Sequence, residues 1–167
     1  MKVAPCPVPQ DGLLQRYVGQ GATYTDCYEA CVPGSVDLEQ FVAAFYTTSL
    51  FRVERIVLGL ALRKRIFDSD SAAMIAGETD TFAVWRVEAR ADGQILLKDQ
   101  SDLTRSWFSA SVAQDGQSVV RFGSAVIAAP GAPLPLAAKL SLPLHRIYSG
   151  ALLRTAVRGL VRSRSEI

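Results

Sequence analysis

The chain has 167 residues, of which 49% are hydrophobic and 20% charged, with a formal net charge of +2. That length suits one domain that buries roughly 70% of its unfolded surface, enough for a core that needs neither disulfides nor a structural metal. The composition excludes a disordered chain, and the near-neutral balance excludes a general attraction for nucleic acid or an anionic membrane.

Residues 1–22 are rich in Pro, Gly and Gln and read as an extended N-terminal arm. Leu13, Leu14, Tyr17 and Val18 are the apolar piece suited to pin it to the body. The opening MKVAPCPVPQDG has no apolar run of the kind a secretory signal needs. Residues 23–167 then read as a single domain, with no internal repeat and no linker. The segment TYTDCYEACV, residues 23–32, reads as a strand ending at Pro33-Gly34. In DLEQFVAAFYTT, Asp37 is placed to cap a helix, with Gln40 in the capping-box position. Leu38, Phe41, Val42 and Phe45 share its apolar face. The pattern repeats from Ser49 with Val53, Ile56, Val57 and Leu60 and closes on Arg63-Lys64-Arg65, basic residues suited to a helix C-terminus. From Asp80 the period becomes two. TFAVWRVEA and QILLKD, joined at Ala91-Asp92-Gly93, read as a hairpin; TRSWFSASVA and SVVRFGSAVIA, joined at Gln114-Asp115-Gly116, read as a second. From about Leu134 to Arg162 the chain is helical in character. Pro143 inside it predicts either a kink or a fresh start capped by Ser141. The uncharged stretch Gly123–Ala138 is broken by prolines and too short to span a bilayer, so no membrane insertion is expected.

Strand, two helices, antiparallel strands, long C-terminal helix is the order of an α+β helix-grip fold, in which a curved sheet wraps around the last helix. In this order the chain resembles the SRPBCC superfamily, the START-like and pollen-allergen-like helix-grip domains. Three stretches are similar to an uncharacterised bacterial SRPBCC-like family whose members occur alone or fused behind NAD-dependent epimerase-like reductases. They are AGETDTFAVWRVEA (76–89), LLKDQSDLTRSWFSASV (96–112) and LPLHRIYSGALLRTAVRGL (142–160), the last with Leu144 where an aromatic residue is expected. The resemblance implies a cavity for a small apolar or amphipathic ligand between sheet and helix. It implies no catalytic residue and no cofactor, and the chain contains no GxGxxG dinucleotide fingerprint.

Strand alternation selects the residues facing such a cavity. Arg86 and Glu88 point outward, which turns Trp85 and Val87 inward. Arg105 and Arg121 likewise turn Phe108, Ala110, Val112, Val120, Phe122 and Val126 inward, with Leu97 on the same face. Tyr148 and Leu152 are their partners on the last helix. The candidate ligand-binding set is therefore Trp85, Val87, Leu97, Phe108, Ala110, Val120, Phe122, Tyr148 and Leu152; the same residues equally suit a filled core. His145 is the only histidine and the only ordinary proton shuttle near neutral pH. It either meets a ligand at the cavity mouth, aided by Asp99 or Asp102, or bonds a carbonyl freed by Pro143. Asp99 and Asp102 suit paired acid–base chemistry and equally suit a turn. No GxSxG elbow is present.

Cys6, Cys27 and Cys31 are an odd set near the N-terminus, a poor disulfide framework, and a reducing, cytoplasmic setting is expected. Cys27, Glu29 and Cys31 share a strand face, but a metal site would need further ligands from Asp26, Cys6 or His145. Cysteine on a strand otherwise packs as a small apolar residue, and no metal is expected. Arg146, Arg154, Arg158 and Arg162 form a ridge on the last helix, continued by Arg164. With Arg63-Lys64-Arg65 it suits either an acidic partner or plain solvation. No basic–aromatic interleaving points to nucleic acid. Three function classes stay open: a binder of a small hydrophobic or amphipathic molecule; an enzyme of cyclase, dehydratase or hydrolase type using His145 or Asp99/Asp102; and an interaction module that forms a homodimer or docks on a reductase.

Overall fold

The structure is a computed structural model that describes residues 2–48, 73–74, 76–82, 84–113 and 116–165. The second helix expected from Ser49, the Arg63-Lys64-Arg65 run and the turn residues Gln114 and Asp115 lie outside the described residues. The elements are β1 (Ala4–Pro5), a 3-10 helix (Leu13–Tyr17), β2 (Tyr24–Val32), α1 (Leu38–Tyr46), β3 (Thr81–Phe82), β4 (Trp85–Ala91), β5 (Gln94–Asp99), β6 (Thr104–Val112), β7 (Ser118–Val126) and α2 (Leu136–Ser165). The seven strands form one sheet in the order β1-β2-β7-β6-β5-β4-β3, and every neighbouring pair is antiparallel. With α1 and the long α2 against one face, this is the helix-grip arrangement.

Local chemistry accounts for the joints. Asp37 Oδ1 accepts from the Gln40 backbone N–H at 2.7 Å while Gln40 Oε1 accepts from the Asp37 N–H at 3.3 Å, so α1 opens on the capping box its sequence spells. The β4–β5 hairpin closes through Gly93 at φ +61°, and a Cβ there would lie 2.5 Å from the Ala110 carbonyl oxygen, so only glycine serves. One boundary differs from the periodicity: TFAVWRVEA is two strands. Phe82 pairs directly with Trp85 across a tight reversal, which places both aromatics at one end of the sheet.

Helix α2 runs through Pro143 as one element. Ser141 does not start a new helix; its hydroxyl donates to the Ala138 carbonyl at 2.9 Å, one turn back. The solvent side of the first half carries Leu136, Leu140, Leu144 and Ile147, each at least 70% exposed. Arg154, Arg158 and Arg162 continue along that side and are exposed. Among the described residues no helix is long and apolar enough to cross a membrane.

The sheet is packed on both faces. Its inner face joins Val120, Phe122, Phe108, Ala110, Ile95 and Leu97 to Phe41, Val42 and Phe45 of α1 and to Leu152, Leu153, Ala156 and Leu160 of α2. Trp85 and Val87 pack against this core. Val112 does not join it: at the free end of β6 it is 58% exposed, because the strand outruns the helices that cover the sheet. The outer face holds a second cluster, in which Leu14 of the 3-10 helix packs with Trp107, Leu96, Cys27 and Ala125. The N-terminal arm is therefore a lid on the back of the sheet. A charged clamp holds it there. Arg105 donates to the Tyr17 hydroxyl at 3.0 Å and pairs with Glu88 at 2.5 Å, and Tyr17 donates to Glu88 at 2.6 Å.

Candidate functional site

A cavity of about 230 Å³ lies between the inner sheet face and helices α1 and α2. Its walls are mostly aromatic: Phe45 and Tyr46 from α1, Trp85 from β4, Phe108 from β6, Phe122 from β7, and Tyr148 with Leu152 from α2. The rings meet edge-on or tilted, with Phe45 and Phe122 centroids 4.7 Å apart and Phe45 and Phe108 4.9 Å apart. Such packing sets wall positions firmly, because each ring edge is held against a neighbour's face.

The polar part of the lining, which includes Arg105, comes from two neighbouring segments. Thr104 and Ser106 come from β6, His145 and Ser149 from successive turns of α2. Ser149 is 1% exposed, and its hydroxyl has no hydrogen-bond partner among the described residues. A buried hydroxyl in that state costs free energy unless something bonds it. His145 also borders a second hollow of about 200 Å³, lined by Leu103, Val126, Ile127, Pro135 and Leu142. The ring therefore stands between the two spaces.

The position of His145 is set from the sheet. Its Nε2 lies 2.7 Å from Ser124 Oγ, and Ser124 donates to Asp26 Oδ1 at 2.5 Å. Asp26 also accepts from the Tyr24 hydroxyl at 3.0 Å, and Tyr24 in turn accepts from Arg146 Nε at 2.7 Å. Since Ser124 spends its one proton on Asp26, it must accept from His145, which places the histidine proton on Nε2. In the neutral ring Nδ1 then carries the lone pair. Arg146 also stacks over the Tyr24 ring at 5.1 Å. The Tyr24 phenol is pushed up to about 12, first by burial, against the pull of Arg146 and with the help of Asp26. Burial and Asp26 raise Tyr28 as well.

Of the candidate ligand-binding residues, Trp85, Phe108, Phe122, Tyr148 and Leu152 line the cavity. Leu97, Ala110 and Val120 are buried in the core beside it, with Val87 packed against that core. His145 bonds Ser124, not a backbone carbonyl freed by Pro143. Asp99 and Asp102 sit at the β5–β6 turn. Asp99 accepts from the Thr104 N–H at 3.0 Å and from the Ser101 hydroxyl. Asp102, at φ +58°, pairs with Lys98 at 3.1 Å and Arg105 at 3.3 Å. Lys98 first, then Arg105 and Arg86, hold its carboxyl below the usual range. Neither lines the cavity.

The sequence reading gives no site role to Ser106 or Ser124, weighs Asp26 only as a metal ligand, and gives none to Ser149. Strand alternation contained the first three, since positions 106 and 108, 122 and 124, and 26 and 28 share a face. Helical spacing contained the fourth, one turn after His145. Cys27, Glu29 and Cys31 do share one strand face, and Glu29 pairs with Arg121 at 3.2 Å. Among the described residues no group of three or more His, Cys, Asp or Glu side chains could hold a metal ion.

No family model matches the chain, and no curated protein matches it. Two solved structures align over 84% of its length. One is a conserved protein of unknown function from Enterococcus faecalis, with 11% identity, a TM-score of 0.40 and 72% of that chain covered. The other is Ara h 8.0201, with 12% identity, a TM-score of 0.42 and 99% of that chain covered.

Proposed function

We propose that the protein binds one small amphipathic molecule in the cavity between sheet and α2. The observation that carries this reading is the fully buried hydroxyl of Ser149, without a partner among the described residues, in the polar part of an otherwise aromatic lining. A ligand with one hydrogen-bonding group placed there, and an apolar body among Phe45, Trp85, Phe108 and Phe122, satisfies both parts of the lining. Size narrows the class. An apolar cavity of about 150 Å³ accepts a benzene ring, so about 230 Å³ suits a single ring with a short polar tail, or a chain of similar bulk. The test is native mass spectrometry of the chain purified from its own host, followed by organic extraction of whatever travels with it. A one-to-one adduct of that size and chemistry supports the reading; a long-chain lipid would contradict it.

A second reading has its own observation. The line Asp26–Ser124–His145 holds one imidazole in a fixed tautomer at the cavity wall, as a general base requires. In this arrangement Ser124 is a positioning group and not a nucleophile, because its proton is directed at Asp26 and not at the imidazole. Proton abstraction from a bound molecule by Nδ1 of His145 is the chemistry this geometry favours. Turnover lost in His145→Gln with ligand binding retained would establish it.

A further inference from the structure

The sequence presents Cys6 and Cys27 as distant members of an odd set, but the fold brings them face to face. The β1–β2 register pairs Ala4 with Glu29 and Pro5 with Tyr28, so the next rung sets Cys6 opposite Cys27. The Cys6 N–H donates to the Cys27 carbonyl at 3.0 Å, and the two sulfurs are 3.2 Å apart. Directly opposed residues in an antiparallel pair have Cα atoms about 4.5–5.5 Å apart, within the range a disulfide spans. Both thiols are free. Cys27 is 3% exposed, whereas Cys6 is half-buried.

We infer that Cys6 and Cys27 form a reversible disulfide, made by exchange with a low-molecular-weight disulfide, that staples the N-terminal arm to the back of the sheet. The two sulfurs divide the work by access. Cys6 is the one a reagent can reach, and Cys27 is the resolving thiol behind it. A cleft of about 270 Å³ opens at this edge, with Cys6, Cys27, Asp26 and Arg146 among its walls. The exposed guanidinium suits the carboxylates of an oxidised peptide thiol such as oxidised glutathione. The contact with Cys27 also holds the Cys6 thiol below its usual range and pushes the Cys27 thiol up, with burial adding to the rise at Cys27. Attack therefore starts from Cys6.

The chemistry balances as two exchanges. The Cys6 thiolate attacks one sulfur of the small disulfide, forming a mixed disulfide and expelling one small thiolate, which takes up the Cys6 proton. Cys27 then gives up its proton and attacks the Cys6 sulfur, forming the Cys6–Cys27 bond and expelling the second small thiol. Two cysteines are oxidised and one small disulfide is reduced to two thiols. The product closes the chain between residues 6 and 27 and restrains the arm that carries Leu14 onto Trp107. Closing such a loop shrinks the unfolded ensemble.

The test equilibrates the full chain with mixtures of reduced and oxidised glutathione and maps disulfides by mass spectrometry of the alkylated, digested protein. The expected result is a Cys6–Cys27 link within one chain, with only Cys31 alkylated. The melting temperature should rise by about 5–10 °C, reversed by dithiothreitol. Cys31→Ser should behave like the parent chain, and Cys6→Ser should lose both the link and the shift. Cys6→Ser changes a half-buried site, and the mapping on the unaltered chain needs no variant at all. Three results would overturn the inference: three alkylatable thiols under the oxidising mixture, a link that maps to Cys31 or between chains, or glutathione that stays on Cys6 unresolved.

Discussion

Trp85 and Trp107 stand on opposite faces of one sheet. Trp85 lines the cavity beside Phe108 and Tyr148. Trp107 lies under Leu14 on the outer face, 1% exposed, with its indole N–H donating to Gln94 Oε1 at 3.0 Å. They are the only two tryptophans in the chain, so each face carries its own fluorescent reporter. With Trp107→Phe, a ligand that enters the cavity changes the remaining emission. With Trp85→Phe, the same ligand leaves the emission of Trp107 unchanged. A response from Trp107 alone would put the ligand on the wrong side of the sheet.

The same contrast predicts stability. Trp107→Ala empties a close-packed cluster, leaves the Gln94 carbonyl oxygen with one donor fewer, and should cost about 3–5 kcal/mol. Trp85→Ala enlarges a space that is already open and removes a half-buried ring, at about 1–2 kcal/mol. Denaturant unfolding of the two variants measures the difference, and equal losses would mean that the cavity is filled.

The arm contact is tightest at Gly123. A Cβ there would meet Leu14 Cδ2 at 2.7 Å, the Asp26 carbonyl oxygen at 3.0 Å and Trp107 Cε3 at 3.1 Å. Gly123→Ala should therefore cost about 1–3 kcal/mol by overpacking, and proteolysis should cut the arm sooner, within residues 1–22. Unchanged stability and unchanged cleavage would show that the arm yields freely.

Alkaline pH should loosen the opposite edge. Tyr24 titrates at about 12 in the folded chain against an ordinary value of 10.0, so the folded state holds the proton that the unfolded state releases. The stability this provides is complete below pH 10 and is lost as pH climbs from 10 towards 12. Tyr17 and Tyr28 are raised in the same direction. Urea unfolding across that range should show a steeper decline for the parent chain than for Tyr24→Phe. Parallel declines would remove Tyr24 from the explanation.

Much of the fold was legible because its signals are local. Period-two alternation, the Asp-Gly turn at Asp92-Gly93 and the Asp37/Gln40 box each depend on a few adjacent residues. Two features were hidden because they depend on long-range packing. The break between Phe82 and Trp85 lies inside a run that alternates like one strand, and only its pairing partners show the reversal. The outer cluster is hidden too: alternation puts Trp107 on the outward face with Arg105, but nothing local says that Leu14 covers it. At the site, the aromatic lining followed from alternation, while Ser124 and Asp26 gained meaning only when β2 and β7 were paired. Asp99 and Asp102, the carboxylates expected to aid His145, are engaged elsewhere. Turn chemistry claims both, through Thr104 and Ser101 for the first and Lys98 and Arg105 for the second.

Ser149→Ala gives the most direct measurement of the central claim. In the empty protein it removes a buried hydroxyl that has no partner among the described residues, so it should raise stability by about 1 kcal/mol or more, beyond the roughly 0.5 kcal/mol that alanine adds through helix propensity. Calorimetric titration with 2-phenylethanol and with ethylbenzene then separates anchor from wall. The predicted result is a loss of about 2–10-fold in affinity for the alcohol in Ser149→Ala, with ethylbenzene affinity unchanged. Equal affinities for the alcohol in the two proteins, or no binding of either compound, would contradict a cavity built for an amphipathic guest.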